Sequence, residues 1–212
     1  VDIKNIITGK PLYGIDTKKE GMQYAVVMRS PAFGQSLESF DDVATRKVNG
    51  VNDVIQFKDE FGDKIAVLAN STWAAMKGKK ALKAVWKANG KLENSADHDA
   101  QLTALFDKKP TETKRKDGNI EKAFAEADNV IEKTYKSPFL PHNCMEPMNF
   151  YANVTEEKAK LLGPIQTPQW TENRIGWQLG WMKKGMKEEE QQAVRDKIEI
   201  GMTRMGGGFG RR

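Results

Sequence analysis

Short apolar runs alternate with amphipathic stretches along the first ninety residues. Runs rich in β-branched and aromatic residues predict strands, and stretches that follow a capping residue with apolar positions three and four apart predict helices. This order, β-α-β-β-α-β, is typical of an α+β domain in which two helices cover one sheet. The predicted elements are a strand over 22–29, a helix capped by Asp41 or Asp42 through 48, strands over 51–57 and 64–69, a helix capped by Ser71 or Thr72 through 82, and a strand over 83–87.

The chain changes character after residue 88. Residues 89–118 are polar and carry Pro110, which predicts a linker with one helical turn around 101–106. Trp177 and Trp181 lie at helical spacing, which predicts core packing. The later pattern predicts a helix over 119–127, strands over 130–135, 149–154 and 158–162, a proline-rich turn over 138–147, a helix over 170–182, a charged helical stretch over 186–197 and a strand over 198–203.

The composition predicts a heavily charged surface. Charged residues make up 30% of the chain and hydrophobic residues 39%, and the many lysines give a net charge of +5. A nucleic-acid site would group these lysines with stacking aromatic residues. The densest basic runs, 77–80 and 108–116, contain no aromatic residue. This distribution favours a solvated surface over nucleic-acid binding.

Cysteine content and apolar run length exclude two further features. Cys144 is the only cysteine, so an intrachain disulfide is excluded. The longest apolar runs, such as 65–69, are far too short to span a membrane. Residues 1–4 lack the apolar segment of a signal peptide. A periplasmic and a cytoplasmic location both stay open, because a targeting segment could lie outside this sequence.

A glycine-rich stretch over 205–212, called the glycine loop below, reads Met-Gly-Gly-Gly-Phe-Gly-Arg-Arg. Glycine lets a backbone approach a ligand closely and adopt positive φ. The loop is either a flexible tail or an anion-binding concavity of backbone N–H groups to which Arg211 and Arg212 add charge. It is not a P-loop, because the Gly-Lys-Ser/Thr ending is missing. Since a domain rarely ends on such a loop, we expect the chain to be part of a longer protein.

The segment 141–149 contains a histidine and the single cysteine. His142 and Cys144 lie two positions apart, and no second such pair exists in the sequence to complete a closed zinc site. A nucleophile and its base seldom take the required geometry as such close neighbours. We therefore interpret the segment as a turn between Pro141 and Pro147, in which Glu146 accepts hydrogen bonds from local backbone donors.

The segment 163–170 holds an amide between two prolines. Pro164 and Pro168 restrict the backbone on either side of Gln166. A neutral amide on a stiff loop can both donate to and accept from a cofactor. On the residues alone, a plain connection between a strand and a helix is favoured over this role.

Taken together and in order, these stretches resemble the large subunit of the xanthine oxidase family of molybdenum hydroxylases. The Met-Glu-Pro-Met-Asn and Phe-Gly-Arg-Arg sequences are most similar to its isoquinoline 1-oxidoreductase β-subunit branch, which also contains aldehyde dehydrogenases. The matching motifs are residues 8–16 (TGKPLYGID), 71–75 (STWAA), 142–149 (HNCMEPMN), 166–168 (QTP) and 206–212 (GGGFGRR).

The resemblance implies an α+β fold with an α/β-hammerhead domain over residues 1–90, a linker over 91–118 and the beginning of a molybdopterin-binding domain over 119–212. It implies a molybdopterin-type molybdenum cofactor, in which a pterin dithiolene and not protein side chains holds the metal. Gln166 would bond the apical oxygen of the molybdenum. Gly207, Gly208 and Gly210 would meet the cofactor through their backbone, and Phe209 would line the substrate pocket. Arg211, also a candidate cofactor-binding residue, stands where several relatives carry another glycine.

The resemblance also implies the reaction and the partners. The family oxidises aldehydes or N-heterocycles with water-derived oxygen, passes hydride to the molybdenum centre and uses a glutamate as base. That base lies far downstream of the glycine loop, so we expect no catalytic residue within this chain and no activity from it alone. The chain has too few cysteines to bind a cluster, so the resemblance implies an iron–sulfur partner subunit. We expect no nucleic-acid partner and no membrane span in this chain.

Two other hypotheses stay open at this point. The chain could be a non-catalytic binding or assembly module that uses its first domain for subunit contacts. It could also be a nucleotide-binding α+β protein whose glycine loop binds phosphate.

Overall fold

A computed structural model describes residues 3–212 of the chain; Val1 and Asp2, which belong to the predicted first domain, lie outside the described residues. The chain forms two compact units. One comprises Glu20–Lys133, and the other combines the chain up to Lys19 with Thr134–Arg212. The two compact units do not coincide with the predicted domains, whose limits are residues 90 and 118. The predicted limits refer to domains of the family, so they stay a prediction.

Helices and strands are mixed throughout the first unit, as the α+β prediction requires. Before this unit, the chain forms helix α1 (Ile3–Ile7) and a single 3₁₀ turn over Gly14–Asp16. The unit itself contains strand β1 (Tyr24–Arg29), β2 (Gln35–Asp41), helix α2 (Val43–Arg46), β3 (Val51–Asp59), β4 (Gly62–Ala69), α3 (Thr72–Ala81), β5 (Lys83–Ala88), α4 (Ser95–Ala104) and α5 (Ile120–Ala125).

The strands of this unit form two sheets, so the prediction of one sheet is wrong. β4 lies between β1 and β3 in a three-stranded antiparallel sheet, and β2 pairs with β5 in a separate antiparallel ribbon. Strand β2 was not predicted, because its sequence, QSLESFD, is mostly polar and lacks a run of β-formers. Its partner, β5, does lie where the sequence predicted a strand.

The core of the unit lies beside β4. This strand has a neighbour on each side and carries four consecutive buried residues, of which Ile65 and Val67 are fully buried. Helix α3 begins as predicted at Ser71, whose side-chain oxygen accepts a hydrogen bond of 3.2 Å from the Ala74 amide. A Cβ added at Gly78 would lie 2.8 Å from a methyl group of Val67, so only glycine lets the helix approach this closely.

Two predictions on the connecting segments need correction. The helical turn expected around 101–106 is the end of a longer helix, α4, which begins after Asn94, whose side chain accepts a hydrogen bond of 2.9 Å from the Asp97 amide. The strand predicted over 130–135 is wrong, because residues 126–150 form no helix or strand. This run has β-forming residues but pairs with no strand of the described chain, and a strand needs a partner for its backbone groups.

The second unit is built on a small mixed sheet. β6 (Tyr151–Val154) is antiparallel to β7 (Ala159–Gly163), and β7 is parallel to β8 (Ile198–Met202). The chain crosses from β7 to β8 through helices α6 (Pro168–Gln178) and α7 (Glu188–Arg195). These elements agree with the predicted helices and strands apart from their ends.

The helices α6 and α7 share an apolar core with the sheet. Of the predicted tryptophan pair, Trp181 packs against this core, whereas Trp177 is half exposed. The core prediction therefore holds for one tryptophan and is wrong for the other. Helix α6 ends at Gln178, so Trp181 lies beyond the helix and the two rings do not share one helical face. The buried residues of the core are Ala159, Leu161, Met182, Val194 and Ile198.

Candidate functional site

The candidate site lies where two parallel strands end. β7 and β8 run in the same direction as direct neighbours, so the segments that leave their carboxyl ends start side by side. The segment after β7 carries Gln166, and the segment after β8 is the glycine loop. Crevices at the carboxyl ends of parallel strands are the usual ligand sites of such sheets.

Gln166 presents its amide to this edge. Ile165 just before it is buried, and helix α6 begins at Pro168, two residues after it, so the backbone on both sides is fixed. The Gln166 side chain is exposed and makes no hydrogen bond to any described residue. An amide held by a fixed backbone with unused donor and acceptor atoms is available to a ligand.

The glycine loop passes directly over this amide. A Cβ added at Gly208 would lie 2.6 Å from Oε1 of Gln166, closer than real Cβ atoms approach an oxygen. Gly207 has φ +102 and Gly210 has φ +80, values in the left-handed region that favours glycine. Phe209 has φ +50 and its side chain is 67% exposed. The structure thus brings Gln166 together with Gly208, two of the predicted cofactor residues.

The buried carboxylate of Glu146 is hydrogen-bonded to the glycine loop. Glu146 is 7% exposed, and its two oxygens accept four hydrogen bonds from N–H groups at the start of the chain, in its own segment and in the glycine loop. Its own backbone N–H donates to the Gly206 carbonyl at 3.1 Å. Glu146 and its four donors are called the carboxylate clamp below. Oε1 accepts from the Ile15 amide at 3.1 Å and the Asn149 side chain at 2.8 Å, and Oε2 accepts from the Gly206 amide at 2.9 Å and Nη1 of Arg212 at 2.6 Å.

The two arginines of the loop have different surroundings. The side chain of Arg212 is 1% exposed, and its Nη1 and Nη2 donate to the carboxylate and the backbone carbonyl of Glu146. Arg211 is exposed, and its backbone amide donates to the Gly208 carbonyl at 2.9 Å. The interpretation that both arginines add charge for an anion therefore needs correction, because Glu146 already neutralises Arg212.

The charge state of Glu146 follows from this geometry. Burial by itself raises the pKa of the carboxyl, but the N–H donors, above all that of Gly206, outweigh burial and hold the pKa below its ordinary value. Glu146 is therefore ionised at neutral pH. The expectation that it accepts hydrogen bonds from local backbone donors is wrong, since its backbone donors, Ile15 and Gly206, are 131 and 60 positions away.

The histidine and the cysteine of segment 141–149 have different surroundings. His142 is exposed, whereas Cys144 is partly buried with its Sγ 3.7 Å from the Gly208 carbonyl oxygen. Within residues 3–212, no group of three His, Cys, Asp or Glu side chains could hold a metal ion. A thiol beneath the glycine loop therefore contributes packing and a weak hydrogen bond.

The start of the chain completes the second unit near the loop. Tyr13 forms a parallel bridge with Arg204, and the amide of Arg204 donates to the Leu12 carbonyl at 3.1 Å. Gly14 is buried, and a Cβ there would lie 2.4 Å from Oδ1 of Asn149. The glycine of the matching motif over 8–16 thus has a structural reason, because a Cβ at Gly14 would also meet Pro164 at 2.5 Å and only glycine fits beside Asn149.

A family model described as the molybdopterin cofactor-binding domain matches residues 105–212. Among curated proteins, a membrane-bound aldehyde dehydrogenase of Gluconacetobacter polyoxogenes, whose name includes pyrroloquinoline quinone, is 28% identical over all of this chain and 27% of its own length. The isoquinoline 1-oxidoreductase subunit beta of Brevundimonas diminuta is 26% identical over all of this chain and 26% of its own length. The chain therefore spans about a quarter of the length of these relatives.

Solved structures share the fold. The quinoline 2-oxidoreductase of Pseudomonas putida 86 aligns with 99% of this chain and 30% of its own, with a TM-score of 0.63 and 15% identity. The reconstituted CO dehydrogenase of Oligotropha carboxidovorans aligns with 100% of this chain and 31% of its own, with a TM-score of 0.64 and 16% identity. Over the described part of the chain, no helix has the length and apolar character needed to cross a bilayer.

Proposed function

The chain belongs to the family of molybdopterin cofactor-binding domains, and from this premise we propose that it forms part of the molybdenum subunit of an oxidoreductase that hydroxylates aldehydes or N-heterocycles. The names of the two curated relatives support one substrate class each. The observation that carries the proposal is the contact between Gln166 and the glycine loop at the carboxyl ends of β7 and β8, where a Cβ on Gly208 would collide with the amide.

The residues at this edge fit a bulky cofactor. Gly208 lets the loop backbone lie directly against the Gln166 amide, because a Cβ there would meet Oε1 at 2.6 Å, and this amide has donor and acceptor atoms without partners among the described residues. Backbone N–H groups of a glycine-rich loop suit the anionic groups of such a cofactor. We infer that Gln166 hydrogen-bonds the cofactor and that the backbone of Gly207, Gly208 and Gly210 contacts it.

The two exposed side chains of the loop, Phe209 and Arg211, would face the bound cofactor and the substrate. When bound, the cofactor supplies the redox centre that takes up electrons from the substrate. The Phe209 ring, 67% exposed beside that position, would line the apolar side of the substrate pocket. The exposed Arg211 guanidinium would face anionic groups of the cofactor, because Arg212 is occupied by Glu146.

We propose that residues 1–90 form an α/β-hammerhead domain, that 91–118 link it to the next domain, and that 119–212 begin the cofactor domain. Because the chain spans about a quarter of the length of its relatives, we assign the catalytic base to sequence outside these residues. An iron–sulfur subunit would carry the electrons away.

The proposal is tested by isolating the protein from molybdenum-replete cells together with its partner subunits. We expect about one molybdenum per chain by elemental analysis, an equal amount of pterin after oxidation to its fluorescent form, and turnover of benzaldehyde or isoquinoline with an artificial electron acceptor. Protein that contains neither molybdenum nor pterin would overturn the proposal. Such protein, if it still assembled with partner subunits, would favour the assembly-module hypothesis.

A matched pair of glycine substitutions tests the site itself. Gly208→Ala would push the Gln166 side chain away from the loop, and we expect molybdenum per folded chain to fall about tenfold, as for the loss of a strong hydrogen bond. The control is Gly201→Ala in β8, where the added Cβ would lie 2.8 Å from the flexible end of Leu162 instead. Equal molybdenum content in the two variants would remove Gly208 and Gln166 from the proposed site.

A further inference from the structure

The glycine loop is attached to the carboxylate clamp at two points, through the Gly206 amide and the Arg212 guanidinium. We infer that Glu146 is a positioning residue: its carboxylate, with Arg212 as counter-charge, holds the glycine loop in its cofactor-receiving shape before any cofactor binds. The inference deepens the proposed function, on which it rests, because it takes the loop as the cofactor-binding element. It assigns roles to Glu146 and Arg212 that the resemblance did not.

The clamp joins three separate segments of the second unit: the start of the chain, the segment 141–149 and the glycine loop. Each oxygen of Glu146 accepts two N–H donors, which uses the lone pairs that a carboxylate offers. Two of these donors, the amides of Ile15 and Gly206, belong to the start of the chain and to the loop. Among residues 3–212, no backbone carbonyl accepts from these two amides, so they depend on the carboxylate for their hydrogen bonds.

Gly206 is the point at which the clamp controls the loop. Its amide donates to the Glu146 side chain at 2.9 Å, and its carbonyl accepts from the Glu146 backbone at 3.1 Å. A Cβ at Gly206 would lie 2.5 Å from the Cβ of Glu146, so the two backbones touch. Both sides of this one residue are therefore bound to Glu146. The next residues, Gly207 and Gly208, continue from a fixed position toward Gln166.

Arg212 fixes the other end of the loop. Its guanidinium donates through two nitrogens to Glu146, so residues 206 and 212 are both attached to one side chain. Fixing both ends limits the conformations of the residues between them. A loop ordered in advance loses less entropy when a ligand binds, which raises the affinity without adding a contact.

The first experiment measures the loop in protein prepared from cells that cannot make the cofactor. Amide hydrogen exchange followed by NMR should be about tenfold faster or more at Ile15 and Gly206 in Glu146→Gln than in the wild type, because charged hydrogen bonds are lost. Exchange at Ile65 in the other unit serves as the internal reference. The control variant is Glu199→Gln, an exposed glutamate whose nearest cation, Lys160, is 3.8 Å away.

Equal exchange at Ile15 and Gly206 in the wild type and Glu146→Gln would overturn the inference. Arg212→Lys keeps the charge and provides a second, milder variant: we expect the protection of Gly206 to be largely retained there and to be lost in Arg212→Met. A Lys variant as unprotected as the Met variant would contradict the role of Arg212 as counter-charge.

The second experiment uses protein isolated with its cofactor. Glu146→Gln should hold about tenfold less molybdenum per folded chain than Glu199→Gln, and its remaining Mo(V) electron paramagnetic resonance spectrum should shift, because the loop moves relative to the metal. An unshifted spectrum at full occupancy would overturn the inference. If the wild type contains no molybdenum, the proposed function fails, whereas the exchange experiment still decides whether the clamp orders the loop.

Discussion

In Glu20–Lys133 the buried side chains are mainly apolar, whereas the glycine loop of the other unit is held by a carboxylate and a guanidinium buried together. Ile65 and Val67 are fully buried against neighbouring apolar residues, and such contacts have no preferred direction. Glu146 and Arg212 are buried to a similar degree but meet through directed hydrogen bonds. In the first unit apolar contacts add to the backbone pairing of the strands, while a stretch with few side chains relies on directed polar contacts to fix its path.

The largest effect should come from removing the clamp. Glu146→Ala leaves the Arg212 guanidinium buried without its counter-charge, and we expect the free energy of unfolding to fall by about 3–5 kcal/mol. Urea denaturation followed by circular dichroism measures this change. Glu199→Ala, which removes an exposed glutamate of the same unit, should change it by less than about 0.5 kcal/mol. A loss in Glu146→Ala as small as that of the control would show that the clamp does not stabilise the fold.

Acid should remove part of the same stabilisation. The pKa of Glu146 is lower in the folded protein than in the unfolded chain, so its contribution is present above the unfolded pKa of about 4.3 and is lost as pH falls through the lower folded value. The advantage in unfolding free energy of the wild type over Glu146→Gln should therefore shrink between pH 7 and pH 3. Denaturation at several pH values measures it; a difference that grows on acidification would contradict the ionised clamp.

The pH comparison also has to account for the other unit. The pKa of Asp59 is lowered too: burial raises it, but the hydrogen bond and charge of Lys64 prevail. Acid therefore weakens both units of the wild type. Only the difference between the wild type and Glu146→Gln isolates the clamp, since both proteins contain Asp59.

The smallest effect should come from trimming the apolar core. Ile65→Val removes one methylene from a fully buried side chain and should lower the free energy of unfolding by about 1 kcal/mol. Ile55→Val, at a position that is 43% exposed, is the matched control and should have a smaller effect. Molybdenum per folded chain should stay at the wild-type value in both variants. A core variant that lost its metal would remove the distinction drawn between the two units.

Local signals predicted much of the fold. The cap at Ser71, the apolar run of β4 and the charged stretch that became α7 each carry their information within a few residues. Strand β2 was missed and the strand over 130–135 was wrongly predicted, because whether a strand forms depends on a partner distant in sequence. The resemblance to molybdenum hydroxylases is confirmed by the match over residues 105–212.

The candidate site was predictable only where motifs were contiguous. Gln166 and the glycine loop could be named from the sequence, although their cofactor contacts stay a prediction. The pairing of Glu146 with Arg212 could not, because the two residues are 66 positions apart and no local pattern distinguishes Arg212 from Arg211. The available signal was a lone acidic residue in a matching motif, flanked by prolines, together with a basic residue at the end of the glycine loop.

The parallel pairing of β7 and β8 has a consequence for sequence variation. The Gln166 segment and the glycine loop are positioned by the adjacent strands β7 and β8. Helices α6 and α7 form the connection between these two strands. Residues could be inserted or deleted in the turn between these helices without shifting either end of the connection. We therefore expect homologues to tolerate length changes at the exposed residues 183–185, beyond the buried Met182, and to tolerate none between Gly163 and Gln166 or between Met202 and Gly208.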